Sequence, residues 1–381
     1  MRNSIAKNIY SSMKQKIESV YLKYGYEEID IPMFVRADLY EKYKGVPGNR
    51  FIKFLDRNGD VVVIRPDATF NILKKVNAKG NRQIQRYFYH TEIVRYKSEH
   101  YEGNEFMQSG IEFFNDNTPM CDGEVIAVAI KSLEDLGISG IRVDIGHSDF
   151  IYALFDGEKN LSKNDHQRIH SLIAQKNTMD LETFLKSKNI DSNVSKSVLD
   201  ICMLFGDYTS VIGKAKQLCI NERMRQALAN IEAIYSCLKE YNLQNYIFID
   251  LGFSNPMEYY SGMIFKVYAD GAREELISGG RYDLLASKFG LRKYACGFGH
   301  NLNETASLIG ETVYGKENHI VVNCPISEER NGISQAEKLR KIGLYVSLNP
   351  TEDQFSIEYQ HHTYHDIEEV LDILQKEGYD D

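Results

Sequence analysis

The sequence predicts an α+β protein in which an antiparallel sheet core carries a helical insertion and precedes a small α/β module. Three observations support this prediction. Two aromatic and β-branched segments, 84–96 and 105–114, flank a polar loop and indicate a long hairpin. Residues from about 150 to 243 follow helical patterns without strand signatures. Residues after 316 alternate between strand and helix patterns, so we expect a core domain over 1–310 and a second domain over 316–381.

The individual elements follow from periodicity and from terminating residues. Ile9, Met13, Ile17 and Val20 recur at helical spacing and predict an amphipathic helix over 9–24. Asp122 is expected to cap a helix that Gly137 ends. Short apolar runs predict strands at 28–32, 61–65, 141–145, 247–251, 263–267 and 276–277. The final module is predicted as β (319–323), α (334–342), β (344–348), β (355–360) and α (366–378).

Composition restricts the class of protein. With 381 residues, 43% hydrophobic and 26% charged, the chain resembles an ordinary globular protein with room for two domains. No stretch reaches the roughly 18 apolar residues that a membrane span needs, and no signal peptide is apparent. The six cysteines lack C-x-x-C spacing, so we expect free thiols in a reducing cytoplasm. No metal site or cofactor is expected, and the histidine-rich tract at 361–365 is predicted to be a loop.

Charge is unevenly distributed along the chain. The net charge is −9, and residues 316–381 hold six Lys and Arg against fourteen Asp and Glu. Nucleic-acid binding depends on basic side chains that displace counterions from phosphates. The C-terminal module is therefore a poor candidate for binding a nucleic acid.

Two tracts about 150 residues apart contain groups suited to an amino acid with a polar ring. Gln108 and Glu112 lie four residues apart on a predicted strand and therefore share a face. Tyr259 and Tyr260 would place at least one phenol beside that face. A carboxylate and a hydroxyl facing the two nitrogens of an imidazole would fix its tautomer and charge. At 65–69 a strand-to-helix turn offers a carboxylate and a hydroxyl that could hold an ammonium group.

These tracts resemble the histidyl-tRNA synthetase family, a class II aminoacyl-tRNA synthetase family. Its R-P-E-G-T, F-x-Q-x-G-x-E, G-L-D-Y-Y and G-G-R-Y-D motifs match, in the same order, residues 65–69, 106–112, 257–260 and 279–283. The resemblance covers about residues 5–305 and implies a class II synthetase-like core. It further implies that Asp67 and Thr69 hold the amino group of histidine, that Gln108 holds its polar head, and that Glu112 with Tyr259 and Tyr260 contacts its ring.

The same resemblance shows degenerate positions in the part that would bind ATP. Lys97 replaces a glutamate that contacts adenine, and the loop 98–104 contains no arginine. Asn255 and Glu304 stand where the synthetases have catalytic arginines. Adenylate formation needs fixed cations around the reacting phosphate, so we expect no histidine activation and no catalytic residues. Arg95 and Arg281 could retain either a nucleotide contact or a structural ion pair.

A histidine pocket joined to a degenerate ATP site resembles the family of ATP phosphoribosyltransferase regulatory subunits. That resemblance implies a short-form catalytic subunit as partner, L-histidine as feedback effector, self-association as a dimer or higher oligomer, and no binding of tRNA or membrane. Two alternatives remain open, a divergent histidyl-tRNA synthetase and a synthetase-like paralogue with another role. The sequence also leaves open whether histidine binds this pocket or the subunit interface, and what the 316–381 domain does.

Overall fold

The protein is described from a computed structural model that covers most of the chain. The described residues are 2–43, 51–79, 83–96, 105–158, 160–253, 260–290, 294–309, 319–342, 344–360 and 362–376. The chain divides into two compact units, one of them Met13–Leu308 and the other Met1–Ser12 with Ile309–Asp381.

Helices are distributed along the whole described chain. Their bounds are α1 (Arg2–Lys23), α2 (Asp38–Tyr43), α3 (Thr69–Lys79), α4 (Pro119–Asp135), α5 (Ser148–Tyr152), α6 (Lys163–Ala174), α7 (Thr178–Ser187), α8 (Ser192–Cys202), α9 (Tyr208–Leu218), α10 (Glu222–Glu240), α11 (Asp283–Lys288), α12 (Leu302–Ile309), α13 (Glu329–Lys341) and α14 (Ile367–Lys376). No helix within the described ranges is long and apolar enough to cross a membrane.

Strands occur in both units. Their bounds are β1 (Glu27–Glu28), β2 (Phe34–Arg36), β3 (Lys53–Leu55), β4 (Val61–Ile64), β5 (Gln85–Val94), β6 (Glu105–Phe114), β7 (Arg142–His147), β8 (Phe205–Asp207), β9 (Ile247–Asp250), β10 (Met263–Tyr268), β11 (Ile277–Arg281), β12 (Ala295–Asn301), β13 (His319–Pro325), β14 (Tyr345–Thr351), β15 (Ser356–Tyr359) and β16 (His362–Tyr364).

The large unit is built on a sheet to which nine of the described strands belong, in the order β1-β5-β6-β12-β11-β10-β7-β9-β8. Every neighbouring pair from β5 to β7 is antiparallel. The predicted α+β class is therefore confirmed, and so is the hairpin, whose strands β5 and β6 pair from Gln85 with Phe114 to Val94 with Glu105. Strands β2, β4 and β3 form a separate small sheet.

The predicted amphipathic face of α1 is confirmed, because Ile9, Met13, Ile17 and Val20 are all buried. The predicted cap of α4 is wrong. Thr118 caps this helix by accepting a hydrogen bond from the Cys121 backbone N–H, as short polar side chains do at helix starts. Proline at the first helical position fixes the start three residues before Asp122.

The helical insertion is confirmed by α5 to α10, but the expectation that it lacks strands is wrong. Phe205–Asp207 forms β8, which pairs antiparallel with β9 at the edge of the large sheet. A strand of three residues is too short to leave a periodic signal in the sequence.

The C-terminal unit has the predicted order β13, α13, β14, β15 and α14. Its described strands form a sheet in the order β14-β13-β15-β16, and residues of both helices join one apolar core with Ile320 and Val322 of β13. The predicted loop at 361–365 is instead mostly strand, because residues 362–364 form β16 against β15. The domain boundary between 310 and 316 falls outside the described residues and stays a prediction.

Candidate functional site

The site lies on one face of β6, an interior strand of the large sheet. Gln108, Gly110 and Glu112 point to the same face, as their spacing of two residues requires. On the neighbouring strand β12, Gly297 is paired with Glu112 and Gly299 with Gly110. The prediction that Gln108 and Glu112 share a face is supported by their contacts with β12. A side-chain carbon built at Gly297 would collide with Glu112, and one built at Gly299 would collide with Gln108.

Glu112 is the most enclosed carboxyl group of this face, with 2% of its surface exposed. Its Oε1 accepts a hydrogen bond of 2.7 Å from the hydroxyl of Thr69, and its Oε2 accepts one from the phenol of Tyr282. Burial raises the pKa of Glu112 from its usual value of 4.5 to about 8, although both hydrogen bonds favour the ionised form. The carboxyl group is therefore mostly protonated at neutral pH, whereas the sequence had suggested a charged partner for an imidazole.

Gln108 is held by a second phenol. The hydroxyl of Tyr89, on β5, donates to Oε1 of Gln108 at 3.1 Å. The ring of Tyr89 passes over Gly110, where an added side-chain carbon would lie 2.5 Å from the phenol oxygen. Burial raises the pKa of Tyr89 well above its usual value, so this phenol stays a hydrogen-bond donor at every physiological pH.

Glycine lets the polar side chains of this face lie close against the sheet. Three glycines on β6 and β12 (Gly110, Gly297 and Gly299) lie beneath the polar side chains. Any larger residue at these positions would collide with the side chains of the site. Close approach of this kind is a common reason for glycine within strands. The result is a glycine floor that an amide, a carboxyl group and a phenol cover, with the phenol of Tyr282 beside the carboxyl group.

The turn at 65–69 brings a second carboxyl group to the same region. Asp67 is 6% exposed, and its Oδ1 accepts a hydrogen bond of 3.1 Å from the backbone N–H of Phe70 at the start of α3. Arg95 lies 3.6 Å from Oδ2 and also donates to the carbonyl oxygen of Pro66 at 2.7 Å. Burial raises the pKa of Asp67, and the charge of Arg95 opposes that rise.

Comparison with known proteins identifies the family. The family described as histidyl-tRNA synthetase matches residues 6–305. The ATP phosphoribosyltransferase regulatory subunit of Oceanobacillus iheyensis is 32% identical over 90% of this chain and 85% of its own length. That of Acetivibrio thermocellus is 30% identical over 96% of this chain and 89% of its own length. The chain belongs to the family of ATP phosphoribosyltransferase regulatory subunits.

Solved structures agree with this assignment. A structure from Bacillus halodurans, titled as an ATP phosphoribosyltransferase regulatory subunit/histidyl-tRNA synthetase, has a TM-score of 0.78 at 28% identity and covers 92% of this chain and 90% of that chain. A histidyl-tRNA synthetase from Nostoc sp. has a TM-score of 0.81 at 16% identity, covering 97% and 96%, which shows a shared fold. The predicted class II synthetase-like core is thus confirmed.

In this regulatory subunit family member, the arginine of the Gly-Gly-Arg-Tyr-Asp tract forms a buried ion pair. Arg281, 7% exposed, donates from Nη2 to Oδ1 of Asp122 at 2.7 Å. The charge of Asp122 raises the pKa of Arg281 further, against the effect of burial. This pair explains why Asp122 lies inside α4 instead of capping it, and it favours the structural alternative for Arg281.

The synthetase positions predicted to be degenerate are only partly visible. Glu304, in the first turn of α12, accepts a hydrogen bond of 2.7 Å from the backbone N–H of Arg273 and so holds a nearby loop. Tyr260 is half-buried beside Gly280, where a built side-chain carbon would lie 3.0 Å from its ring. Tyr259, Lys97 and Asn255 lie outside the described residues.

Two residues of the site were missed by sequence analysis. Tyr282 contacts Glu112, and it belongs to the Gly-Gly-Arg-Tyr-Asp tract that carried the family resemblance. Its position in that tract could have revealed it. Tyr89 contacts Gln108 from an aromatic strand that reads as ordinary packing, so no local signal separates it from its neighbours.

Proposed function

We propose that this chain is the non-catalytic regulatory subunit of an ATP phosphoribosyltransferase, the first enzyme of histidine biosynthesis, and that it binds L-histidine on the face of β6. The proposal is supported most directly by the convergence of Thr69, Glu112 and Tyr282, which brings a hydroxyl, a carboxyl group and a phenol from three distant tracts to one point. It is supported further by relatives known as ATP phosphoribosyltransferase regulatory subunits, which align with 90% and 96% of the chain.

The chemistry of histidine fits the groups at this face. The ring would lie beside the side chains that cover the glycine floor, with one nitrogen at Glu112 and with Tyr260 and Tyr259 next to it. Asp67 and Thr69 would receive the α-ammonium group, and Gln108 would contact the polar head. A carboxyl group that is mostly protonated shares one proton with a neutral imidazole, so the pair forms a hydrogen bond without bringing an unpaired charge into a buried site.

We propose that the chain does not activate histidine. Adenylate formation needs fixed positive groups around the reacting phosphate, and loss of one such group costs about two to three powers of ten in rate. The carboxylate of Glu304 stands at one of these positions and Asn255 at another. Arg95 already pairs with Asp67 and donates to Pro66, which supports a structural role for it.

Activity would arise only with a partner. The proposed complex contains a short-form catalytic subunit, at least two copies of this chain, and no tRNA or membrane. The acidic character of residues 316–381 supports the exclusion of tRNA, since like charges repel phosphates. The six cysteines, all within the described residues, are free thiols, which supports a location in the reducing cytoplasm. Feedback would require histidine to couple to the partner site by about 1–3 kcal/mol.

The test combines assembly and ligand titration. The purified chain alone should form no phosphoribosyl-ATP, and its mixture with a short-form catalytic subunit should form it in a reaction that histidine suppresses. Calorimetry should detect histidine binding that Glu112→Ala weakens at least about tenfold, the cost of one strong buried hydrogen bond. A catalytic subunit that is fully active and equally inhibited without this chain would refute the proposal.

The match of residues 6–305 to the histidyl-tRNA synthetase family favours a second candidate, a divergent synthetase. Histidine-dependent exchange of pyrophosphate into ATP distinguishes the two, because only a synthetase catalyses it. We expect no exchange from the natural chain or from Asn255→Arg, since the other cationic positions stay unfilled. Measurable exchange in either protein would support the synthetase. An unrelated copurifying partner with no histidine binding would indicate the third possibility, a paralogue with another role.

A further inference from the structure

The backbone carbonyl of Asp67 is held by side chains. Asp67 precedes α3, and its Oδ1 accepts a hydrogen bond of 3.1 Å from the backbone N–H of Phe70, as the side chain of a helix-capping residue does. The carbonyl of such a residue normally accepts the first hydrogen bond of the helix. Here the backbone N–H of Asn71, which would donate that bond, goes to the carbonyl oxygen of Ala68 at 3.1 Å. The carbonyl of Asp67 therefore depends on other donors.

Two side chains supply these donors. The phenol of Tyr40, on α2, donates to the carbonyl oxygen of Asp67 at 3.1 Å, and Nδ2 of Asn71 donates to the same oxygen at 3.2 Å. Nδ2 of Asn71 also donates to the phenol oxygen at 2.9 Å. An amide nitrogen carries two hydrogens, so it can make both bonds at once. Carbonyl, phenol and amide thus form a closed triangle of hydrogen bonds.

This triangle is buried. Tyr40 is 0% exposed and Asn71 is 5% exposed. The rings of Phe51 and Phe70 lie 5.4 and 5.2 Å from that of Tyr40, centroid to centroid. Burial and then the charge of Asp67 raise the pKa of Tyr40, so the phenol keeps the proton that it donates. Hydrogen bonds gain strength in such dry surroundings, and this one fixes Asp67 from a residue 27 positions earlier in the chain.

The same triangle restrains the carboxylate of Asp67. Fixing the carbonyl fixes the backbone that follows it, and with it the N–H of Phe70 that orients Oδ1. The contact of Arg95 with Oδ2, at 3.6 Å, is longer than a hydrogen bond and restrains the carboxylate less. We propose that Tyr40, supported by Asn71, positions Asp67 to receive the ammonium group of the ligand.

Because Asp67 receives an ammonium group only in the proposed histidine site, this role of Tyr40 rests on the proposed function. Tyr40 is a positioning residue, since it acts through Asp67 and is itself fully buried. Its loss should therefore weaken the ligands that carry an ammonium group and spare a ligand that lacks one. A purely structural role would weaken both kinds of ligand equally.

Calorimetry of Tyr40→Phe with three ligands tests this role. The variant keeps the ring and leaves Asn71 on the carbonyl of Asp67, so it should fold. Affinity for L-histidine should fall about three- to tenfold, the value of one hydrogen bond, and affinity for histamine, which keeps the ammonium group, should fall by a similar factor. Affinity for imidazolepropionate, which has no ammonium group, should change by less than about twofold, because the lost bond acts only through Asp67.

Tyr21→Phe is the matched control. Tyr21 is also 0% exposed, and its phenol makes a hydrogen bond of 3.1 Å with Oγ of Ser109. Ser109 lies between Gln108 and Gly110 on β6, so this bond is on the sheet face opposite the site. The two variants should lose similar stability in urea unfolding, whereas Tyr21→Phe should keep a histidine affinity within about twofold of that of the natural chain.

Asn71→Ala replaces Tyr40→Phe in the same comparison if the latter does not fold. It leaves the phenol on the carbonyl of Asp67 and should lower affinity with the same selectivity among the three ligands. A histidine affinity no lower than that of Tyr21→Phe, or an equal loss for all three ligands, would overturn the positioning role alone. Absence of histidine binding by the natural chain would overturn the proposed histidine site and this role with it.

Discussion

The phenol of Tyr282 donates a hydrogen bond to the buried carboxyl group of Glu112, across 170 residues of sequence. Because Thr69 occupies the other carboxyl oxygen, the group is oriented before any ligand arrives. Its pKa of about 8 makes it a protonated acid under ordinary conditions.

The first prediction concerns stability against pH. Glu112 has a pKa of about 8 in the folded chain and about 4.5 when unfolded, so the folded state keeps a proton that the unfolded state loses. The contribution of this group is fully present below pH 4.5 and is lost as pH rises to about 8, by at most about 1.4 kcal/mol per pH unit. Urea unfolding at pH 5 and 8 should show Glu112→Gln gaining stability relative to the natural chain as pH rises. A constant difference would contradict the assignment.

The second prediction concerns the pH dependence of histidine binding. Between the pKa of free imidazole, about 6.5, and that of Glu112, one proton is available to the pair. Above pH 8 neither the imidazole nor the carboxyl group keeps the proton. Below pH 6 the imidazole is positively charged, whereas the carboxyl group that it meets is neutral. Affinity measured by calorimetry should therefore be highest between about pH 6.5 and 8. In Glu112→Gln the decline above pH 8 should disappear, and its persistence would point to another group.

The third prediction uses the glycine floor. In Gly299→Ala the new carbon would lie 2.5 Å from Nε2 of Gln108, a movable side-chain atom, so the fold should survive while Gln108 turns away. Histidine affinity should fall about tenfold, the value of a lost polar contact. Gly213→Ala is the control, because nothing lies within 4 Å of its added carbon in α9. It should leave binding unchanged and stabilise the chain by about 0.5–1 kcal/mol.

The fourth prediction concerns Arg281. Replacement by methionine would leave Asp122, 1% exposed, buried without its charged partner, which typically costs about 3–5 kcal/mol. Arg225→Met removes the same type of side chain from an exposed pair with Glu222 and should cost less than about 1 kcal/mol. Thermal or urea unfolding measures both. Equal losses would show that the buried pair contributes no more than a surface one.

Much of the fold could be predicted because its signals are local. The face of α1, the β5–β6 hairpin and the order of elements in the C-terminal unit follow from periodicity over ten or more residues. Elements of two to six residues, such as β8, β16 and α2, depend on pairing or packing with distant segments, and their sequences alone do not distinguish them from loops.

The candidate site shows the same division. Gln108 and Glu112 could be paired by their spacing on one strand, whereas Tyr89 depends on the register of β5 against β6. The position of Asp122 illustrates the limit well. As an acidic residue near a helix start it resembles a cap, and only the tertiary contact with Arg281 reveals its role. The protonated state of Glu112 is likewise a result of burial, which no sequence motif encodes.

The edge strand β8 has a consequence for protein engineering. This strand is hydrogen-bonded to β9, so excising the insertion would leave the edge of β9 unpaired. It would also remove Lys176, whose Nζ lies 2.8 Å from Asp250, and leave that half-buried carboxylate without its cation. The unpaired N–H and C=O groups of an exposed edge strand can form hydrogen bonds with other chains. A shortened core would therefore tend to aggregate, and crystallographers seeking a minimal fragment should keep residues 205–207 with their flanking helices.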